Sequence, residues 1–526
     1  MGDSTVVVGG GPGGLFLATL LARQDPSSTI TVYERNRRSD AFGFGVVFSD
    51  ATLRRIDAVD PVLRNALAQH GTHWDTIDVR SDGESYTFAG NGMAAIHRRT
   101  LLRLLQENAD VAGVDVRYAT PAPPVEELAA RHDLVVGADG TNSAVRSFLE
   151  DQTDIGHTVE TASAKFIWFA TRHLFDGLTF LHRESAHGDF AVHGYPIGAD
   201  LSTFIVETDP QTWRRAGLDA FDVTQPAGPS DEASQQYLAG LFADDIDGDG
   251  LVANSSRWAN FRTRRTRQWS VDNVVLLGDA VHTAHFSVGS GTKMAMEDAV
   301  ELAEQLAQHP GDRTSALRWY QDARVPAVAR IQDAAVPSLA WWERFSRYRH
   351  ELDPFTFAFH FFSRSIGIDK IDQRDPALAE EARRHWADHH GTAALTTPLS
   401  IGGQSTTGRA LELSPDGGWL MESGVPVVRV GAPGPTAGTL AVVEVGAPDD
   451  ATEVEKAAVD LPVAGAVLFT GGNALTRVLL SEEARLQRGL VSVLVDDLSD
   501  AAVETIVLSG RADAVARPTT AAGTAR

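Results

Sequence analysis

Three glycines and an acid are the first residues of this chain whose spacing implies chemistry. Gly9, Gly11 and Gly14 follow a β-branched run at residues 5–8, at G-x-G-x-x-G spacing. An apolar helical pattern comes next, then a second strand-like run at 29–33 that ends in Glu34, 20 positions after Gly14. A dinucleotide pyrophosphate needs this arrangement. Gly9 permits the tight turn, Gly11 lets backbone approach the phosphates, and Gly14 lets helix pack closely on strand. The open N–H groups at the helix start then face the phosphates. Glu34 is placed to accept hydrogen bonds from a ribose; Gly13 and Arg35 complete this part of the candidate set. A glycine-rich turn without a ligand would need neither the second strand nor its acid.

Two further strand ends carry an acid. DLVVGADGTNSAVR (133–146) puts Asp139 and Gly140 just past an apolar strand, with Ser143 and Arg146 behind. NVVLLGDAVHTAHFSVGSGTKMAMEDA (273–299) puts Asp279 at another strand end and passes through Gly289 and Gly291 into a helix. An acid at the carboxyl end of a parallel strand can bind sugar hydroxyls. The backbone N–H groups of 289–293, including those of Gly291, Thr292 and Lys293, suit an electron-rich carbonyl edge such as flavin N1 and O2. They would stabilise the negative charge of a reduced flavin.

Composition limits the other chemistries. The chain has 526 residues, 43% hydrophobic and 22% charged, as ordinary globular proteins do, and room for several domains. It has no cysteine, which excludes disulfides, thiolate nucleophiles and cysteine-held metals. A net charge of −24 argues against a nucleic-acid partner. The apolar run at 15–22 is too short to span a bilayer, and the start of the chain carries no signal-peptide pattern. We therefore expect a cytoplasmic protein with no membrane partner.

The elements that must position these residues follow a rhythm along the chain. Residues 1–156 alternate strand and helix, with an inserted segment near 42–100. Residues 157–270 are strand-rich. Residues 271–390 return to strand, glycine loop and helix, then become mostly helical. Residues 391–517 have their own β/α alternation, and 518–526 read as a disordered tail. A second dinucleotide fingerprint is absent from the sequence.

Taken together, the three motifs resemble the single-component FAD aromatic hydroxylases, the para-hydroxybenzoate hydroxylase-like flavoprotein monooxygenases, over about residues 1–350. The FAD-contacting arginine of that family matches Arg98 in IHRRTLL (96–102). Its usual paired prolines are replaced by His285 and Phe286, and its Gln and Asn by Ser290 and Lys293. GDAVHTAHFSVGSGTK, FGFGVVFSDATL (42–53), HLFDGLTF (173–180) and TFIVETDPQTWRRAGL (203–218) are similar to the branch acting on salicylyl-CoA and 2-aminobenzoyl-CoA.

The resemblance implies a Rossmann-like α/β FAD-binding domain interleaved with a mixed β-sheet substrate domain, a helical segment and a small C-terminal α/β module. It implies FAD reduced by NADH or NADPH, O2 adding as a flavin C4a-hydroperoxide, and hydroxylation or epoxidation of an aromatic ring held as an aryl-CoA thioester. No metal is required, since the cofactor carries the chemistry. Gly45, in a loop over flavin and substrate, and His285 are the catalytic candidates. Phe44, Phe286 and His193 are candidates for substrate contact, and Arg262 and Arg265, in NFRTRRTRQW, for the CoA phosphates. A free aromatic or indole substrate, a tropone- or quinone-type precursor, and a non-catalytic FAD-binding interaction protein stay open as alternatives. A homodimer is compatible with each.

The C-terminal module resembles something else. PLSIGGQSTTGRALELSP (398–415) and TIVLSGRADAVARP (505–518) are similar to the first and last pieces of an old-yellow-enzyme barrel. A complete barrel of this kind takes about 250 residues; about half that length is present. A thioredoxin-like domain fits the rhythm too. No Tyr follows Tyr348 and no His follows His390, so we expect a structural role rather than redox chemistry.

Overall fold

The computed structural model describes residues 3–49, 53–223, 228–286, 291–429, 439–445, 454, 458, 461 and 465–519. They form two units, Met1–Ser85 with Asn91–Glu343, and Tyr86–Gly90 with Arg344–Arg526. Both are mixed α/β. Among the described residues no helix is long and apolar enough to cross a membrane.

The first unit contains a six-stranded sheet in the order Ser270–Val271, Val274–Leu276, Leu134–Gly137, Ser4–Val8, Thr29–Tyr33, Asp115–Arg117. Every pairing but the first is parallel. Its central strands are continuous runs of Val and Leu, the pattern of strands covered on both faces. The three motif-bearing strands are neighbours and point the same way. Their carboxyl ends therefore share one edge, where ligands of open α/β sheets bind. Helix Pro12–Gln24 is buried from Gly13 to Ala22, because it packs under helices Arg98–Val111 and Gly291–Gln308.

A second sheet of seven strands holds Ala259–Arg265, Thr158–Thr171, Ser202–Thr208, Gly188–Pro196, Leu178–Ser185, Ile77–Ser81 and Glu84–Phe88 in that order. A small antiparallel sheet, with Met93–His97 between Gly45–Ser49 and Thr72–Trp74, lies against it through Phe44, Trp74, Tyr195 and Ile197.

The second unit begins in the helical segment, at Arg344, whereas the sequence suggested a boundary at 391. A buried knot explains the difference. Glu482, in helix Ala474–Glu482, accepts hydrogen bonds from Tyr348 Oη (2.5 Å) and is met by His360 Nε2 (3.1 Å), which come from two helices of that segment. Burial and Arg511 hold His360 down at about 4 although Glu482 pulls upward. The sheet of this unit is wholly parallel, in the order Ala410–Leu413, Ala514–Pro518, Val491–Val495, Ala466–Gly471, Leu440–Val445, Val427–Arg429. Consecutive strands lie side by side, and the first lies beside the last. A parallel barrel is wound this way; here the segment 418–421 bonds to both end strands, Met421 N–H donating to the Glu412 carbonyl and Val427 N–H to the Gly418 carbonyl (2.8 Å each). That topology agrees with the barrel resemblance better than with a thioredoxin-like sheet. Most of residues 446–464 and the tail beyond 519 lie outside the described residues.

Candidate active site

One cavity of about 850 Å³ in the first unit receives all three strand ends. Its first end is built from backbone. Gly9 sits at φ +113°, and a Cβ there would lie 2.3 Å from the Ala138 carbonyl oxygen. A Cβ on Gly14 would stand 2.2 Å from the Gly9 oxygen. Gly11 meets open space and is the N-cap of its helix without a side-chain cap, so the helix N–H groups are offered to the cavity. Glu34 holds this loop: its Oε2 accepts the Gly10 N–H (2.8 Å), and its Oε1 accepts from Asn36. Arg35 is exposed and lies off the cavity.

Asp139 turns inward on its own loop. It accepts from Ser143 Oγ (2.5 Å) and the Ala144 N–H (2.7 Å), starting helix Ala144–Gln152. Gly140, Thr141 and Asn142 are left to line the cavity. Arg146 joins this loop to the third one, donating to the Ala280 and Thr141 carbonyls.

Asp279 lies on the cavity wall, set among surrounding protein but with its carboxyl exposed to the cavity. Burial raises its pKa against the pull of His282, Arg98 and Arg264. Arg98 faces the same space, and burial lowers its pKa. Neither side chain has a hydrogen-bond partner among the described residues. The third loop is held from below by Asp298. Its Oδ2 accepts the Gly278 N–H (3.0 Å) and meets His282 Nε2 (2.7 Å), while Oδ1 accepts from Arg324 Nε (2.7 Å). Burial alone would raise Asp298, but His282 and Arg324 win and hold it at about 2. Helix Gly291–Gln308 begins at the cavity, with Gly291 and Thr292 on its wall. Lys293 instead pairs with Glu297 (2.7 Å), one turn on. Gly289 lies outside the described residues.

The other end is aromatic. Phe286 packs on Phe166 (5.2 Å) and Trp168 (6.0 Å), and His193 lies 5.4 Å from it. Gly45 lines the wall where a Cβ would stand 2.3 Å from Ile197 Cγ2, so glycine here permits two sheets to touch. The preceding loop is pinned by Asn254 Nδ2, which donates to the Ala41 and Gly43 carbonyls (3.1 Å each).

Three expected contacts are placed elsewhere. His285 is 2% exposed and stacks behind Phe286 (4.4 Å), off the cavity wall. Phe44 packs in the core between sheets. Arg265 pairs with Asp333 (3.0 Å), because strand Ala259–Arg265 alternates its faces; Arg262 and Arg264 take the cavity side. Lys165 joins them there, 4.3 Å from the Trp213 ring and bonded to Asn260. The sequence gives Glu207 and Asp298 no role, since the partners of each come from other segments of the chain.

A strand-end crevice with an open helix terminus, an unpaired guanidinium and a carboxyl suits a flavin dinucleotide, and a family match agrees. The model described as FAD binding domain matches residues 3–335, and the chain belongs to this family. It is an FAD-dependent aromatic monooxygenase, of a family that typically takes its electrons from NAD(P)H.

Among its relatives, a salicyloyl-CoA 5-hydroxylase of Streptomyces sp is 51% identical over 520 residues, covering 97% of this chain and 98% of that protein. A 3-hydroxy-4-methyl-anthranilyl-[aryl-carrier protein] 5-monooxygenase of Streptosporangium sibiricum is 34% identical over 64% of this chain and 89% of its own. The fold is that of P. aeruginosa PqsL in complex with 2-aminobenzoylacetate (TM-score 0.51, 23% identity, 65% of this chain and 97% of that one). It is also that of 2-methyl-3-hydroxypyridine-5-carboxylic acid oxygenase (TM-score 0.53, 18% identity, 70% and 99%).

Proposed function

We propose that this enzyme hydroxylates the ring of an aryl-CoA thioester of the salicylyl or anthraniloyl type, using NAD(P)H and O2. The observation that carries this reading is the 51% identity to a salicyloyl-CoA 5-hydroxylase along nearly the whole of both chains. The cavity is consistent with it. Gly11, the N-terminus of helix Pro12–Gln24, Arg98 and Asp279 would hold FAD at the glycine end. The N-terminus of helix Gly291–Gln308, carrying Gly291 and Thr292, would meet the electron-rich edge of its ring system.

Bound FAD supplies the electron transfer and oxygen activation. The protein's part is to orient and to shield. Phe166, Trp168 and Phe286 make an apolar wall that takes an aromatic ring and excludes water. Lys165, Arg262 and Arg264 place positive charge on the same cavity, where an acidic chain (−24) would otherwise repel CoA phosphates.

The test is NAD(P)H oxidation and product mass with FAD-loaded protein, comparing salicylyl-CoA and anthraniloyl-CoA with their free acids. Consumption with a product one oxygen heavier, from a thioester only, is expected. Turnover of the free acids alone would replace this reading by a free-aromatic hydroxylase.

A further inference from the structure

Strand Thr158–Thr171 breaks its pairing with strand Ala259–Arg265 in one place. Thr161 stands opposite Arg262 and Lys165 opposite Asn260, so residues 162–164 bulge out against Phe261 alone. The bulge is held by side chains. Asn260 Nδ2 donates to the carbonyls of Ala162 (2.9 Å), Ser163 (3.0 Å) and Ala164 (3.2 Å). Glu343 accepts from the Ser163 N–H (2.6 Å) and from its Oγ (2.8 Å). A bulge beside a site interrupts pairing and re-aims side chains.

Here the interruption lets one cavity reach both faces of the sheet. Phe166 and Trp168 point to one face, where they pack with Phe286. Lys165 has the opposite parity, that of Ile167 and Phe169, whose core also holds Trp258 and Trp213. Residues of both sets line the same cavity, and so does Thr161 at the start of the bulge.

On the second face the charge is positive and uncompensated. Lys165 Nζ donates to Asn260 Oδ1 (2.7 Å) and stands 4.3 Å from the Trp213 ring. Arg262 shares the parity of Asn260, and Arg214 follows Trp213 on helix Pro210–Arg215. None of these three cations meets a carboxylate among the described residues. Burial and Arg214 both lower the pKa of Lys165, so the group lacks a counter-charge where it stands. In a chain of net charge −24 such a cluster attracts anions.

We propose that the gap at this bulge is the passage for the carrier arm of the thioester. The ring lies on the Phe166, Trp168 and Phe286 face, the arm crosses at 161–165, and its phosphate groups meet Lys165 and Arg262 on the Trp213 face. Lys165 is then a specificity-determining residue: it distinguishes a ring that arrives on a phosphate-bearing arm from one that does not. Its ammonium keeps donors for phosphate oxygens beside the one given to Asn260. Asn260 is the positioning residue, since one amide holds both the bulge and the ammonium. This inference rests on the aryl-thioester reading.

The experiment titrates FAD-loaded full-length wild type, Lys165→Ala, Lys165→Arg and Thr161→Trp. The probes are salicylyl-CoA, salicylyl-pantetheine, which carries no phosphate, and free salicylate. Perturbation of the flavin absorbance gives Kd, and steady-state kinetics gives KM and kcat. Lys165→Ala should weaken salicylyl-CoA about tenfold in Kd and KM, with kcat nearly unchanged and salicylyl-pantetheine bound as in wild type. Lys165→Arg should restore most of that loss. Thr161→Trp puts an indole in the gap and should weaken both thioesters more than free salicylate.

FAD content and circular dichroism confirm that each variant is folded; if Thr161→Trp is not, the two Lys165 variants decide. Equal losses for salicylyl-CoA and salicylyl-pantetheine in Lys165→Ala, or no loss for either, would overturn the proposal and leave the aryl-CoA reading in place. A wild type that binds free salicylate but neither thioester would overturn both.

Discussion

Arg98 and Asp298 act on the same loop system from opposite sides. Arg98 offers a guanidinium to the cavity with no hydrogen-bonding partner among the described residues. Arg98→Gln should weaken FAD retention by roughly ten- to a hundredfold, if that charge is met by the cofactor; flavin-release fluorescence measures it. Asp298 holds no ligand but fixes Gly278, His282 and Arg324. Removing one member of such a buried network costs roughly 3–5 kcal/mol, so Asp298→Asn should show that loss in chemical denaturation.

The sign of its pH effect follows from a folded value of about 2 against 3.8. The stabilisation is present above pH 4 and is lost as pH falls through 2. Glu207 runs the other way, raised from 4.5 to about 7. Its contribution is full below pH 4.5 and declines as pH rises through 7. Wild type should lose stability between pH 5 and 8, and Glu207→Gln should flatten that slope.

Elements decide which of the chain's charges matter. Strand Ala259–Arg265 turns Arg262 and Arg264 toward the cavity and Arg265 toward Asp333. Arg262→Ala should therefore raise KM for a CoA ester several-fold, more at low salt than at high salt, because exposed phosphate contacts are screened. Arg265→Ala should leave KM within twofold. Steady-state kinetics at two ionic strengths decides.

The sequence made the glycine loops legible because their requirement is local: a tight turn or a close approach is written in the glycine itself. It also made the motif-bearing strands legible, through their Val and Leu runs. The parity of strand Ala259–Arg265 was not legible, since Arg residues at 262, 264, 265 and 267 give no apolar alternation to fix the register. Glu207 was hidden inside TFIVET for a related reason. An acid at a strand end reads as solvent-facing until the neighbouring strand supplies His193.

At the scale of the molecule, an FAD-dependent unit is followed in one chain by a parallel sheet wound like part of a barrel. The Streptomyces relative spans both, whereas the solved structures named above cover 65–70% of this chain. The second unit is tied internally by Glu482, Tyr348 and His360. Glu482→Gln should weaken the helical segment and the sheet together, as one shifted transition, which hydrogen exchange over 344–390 and 466–519 would report. The central claim concerns the first unit: one cavity orients FAD and a thioester-bound ring. The measurement that tests it most directly is product mass from FAD-loaded enzyme given salicylyl-CoA, NAD(P)H and O2, beside free salicylate. The account predicts a thioester one oxygen heavier, with reductant consumed in step and little reaction of the free acid. Equal or faster hydroxylation of free salicylate, or no oxygen inserted into either, would contradict it.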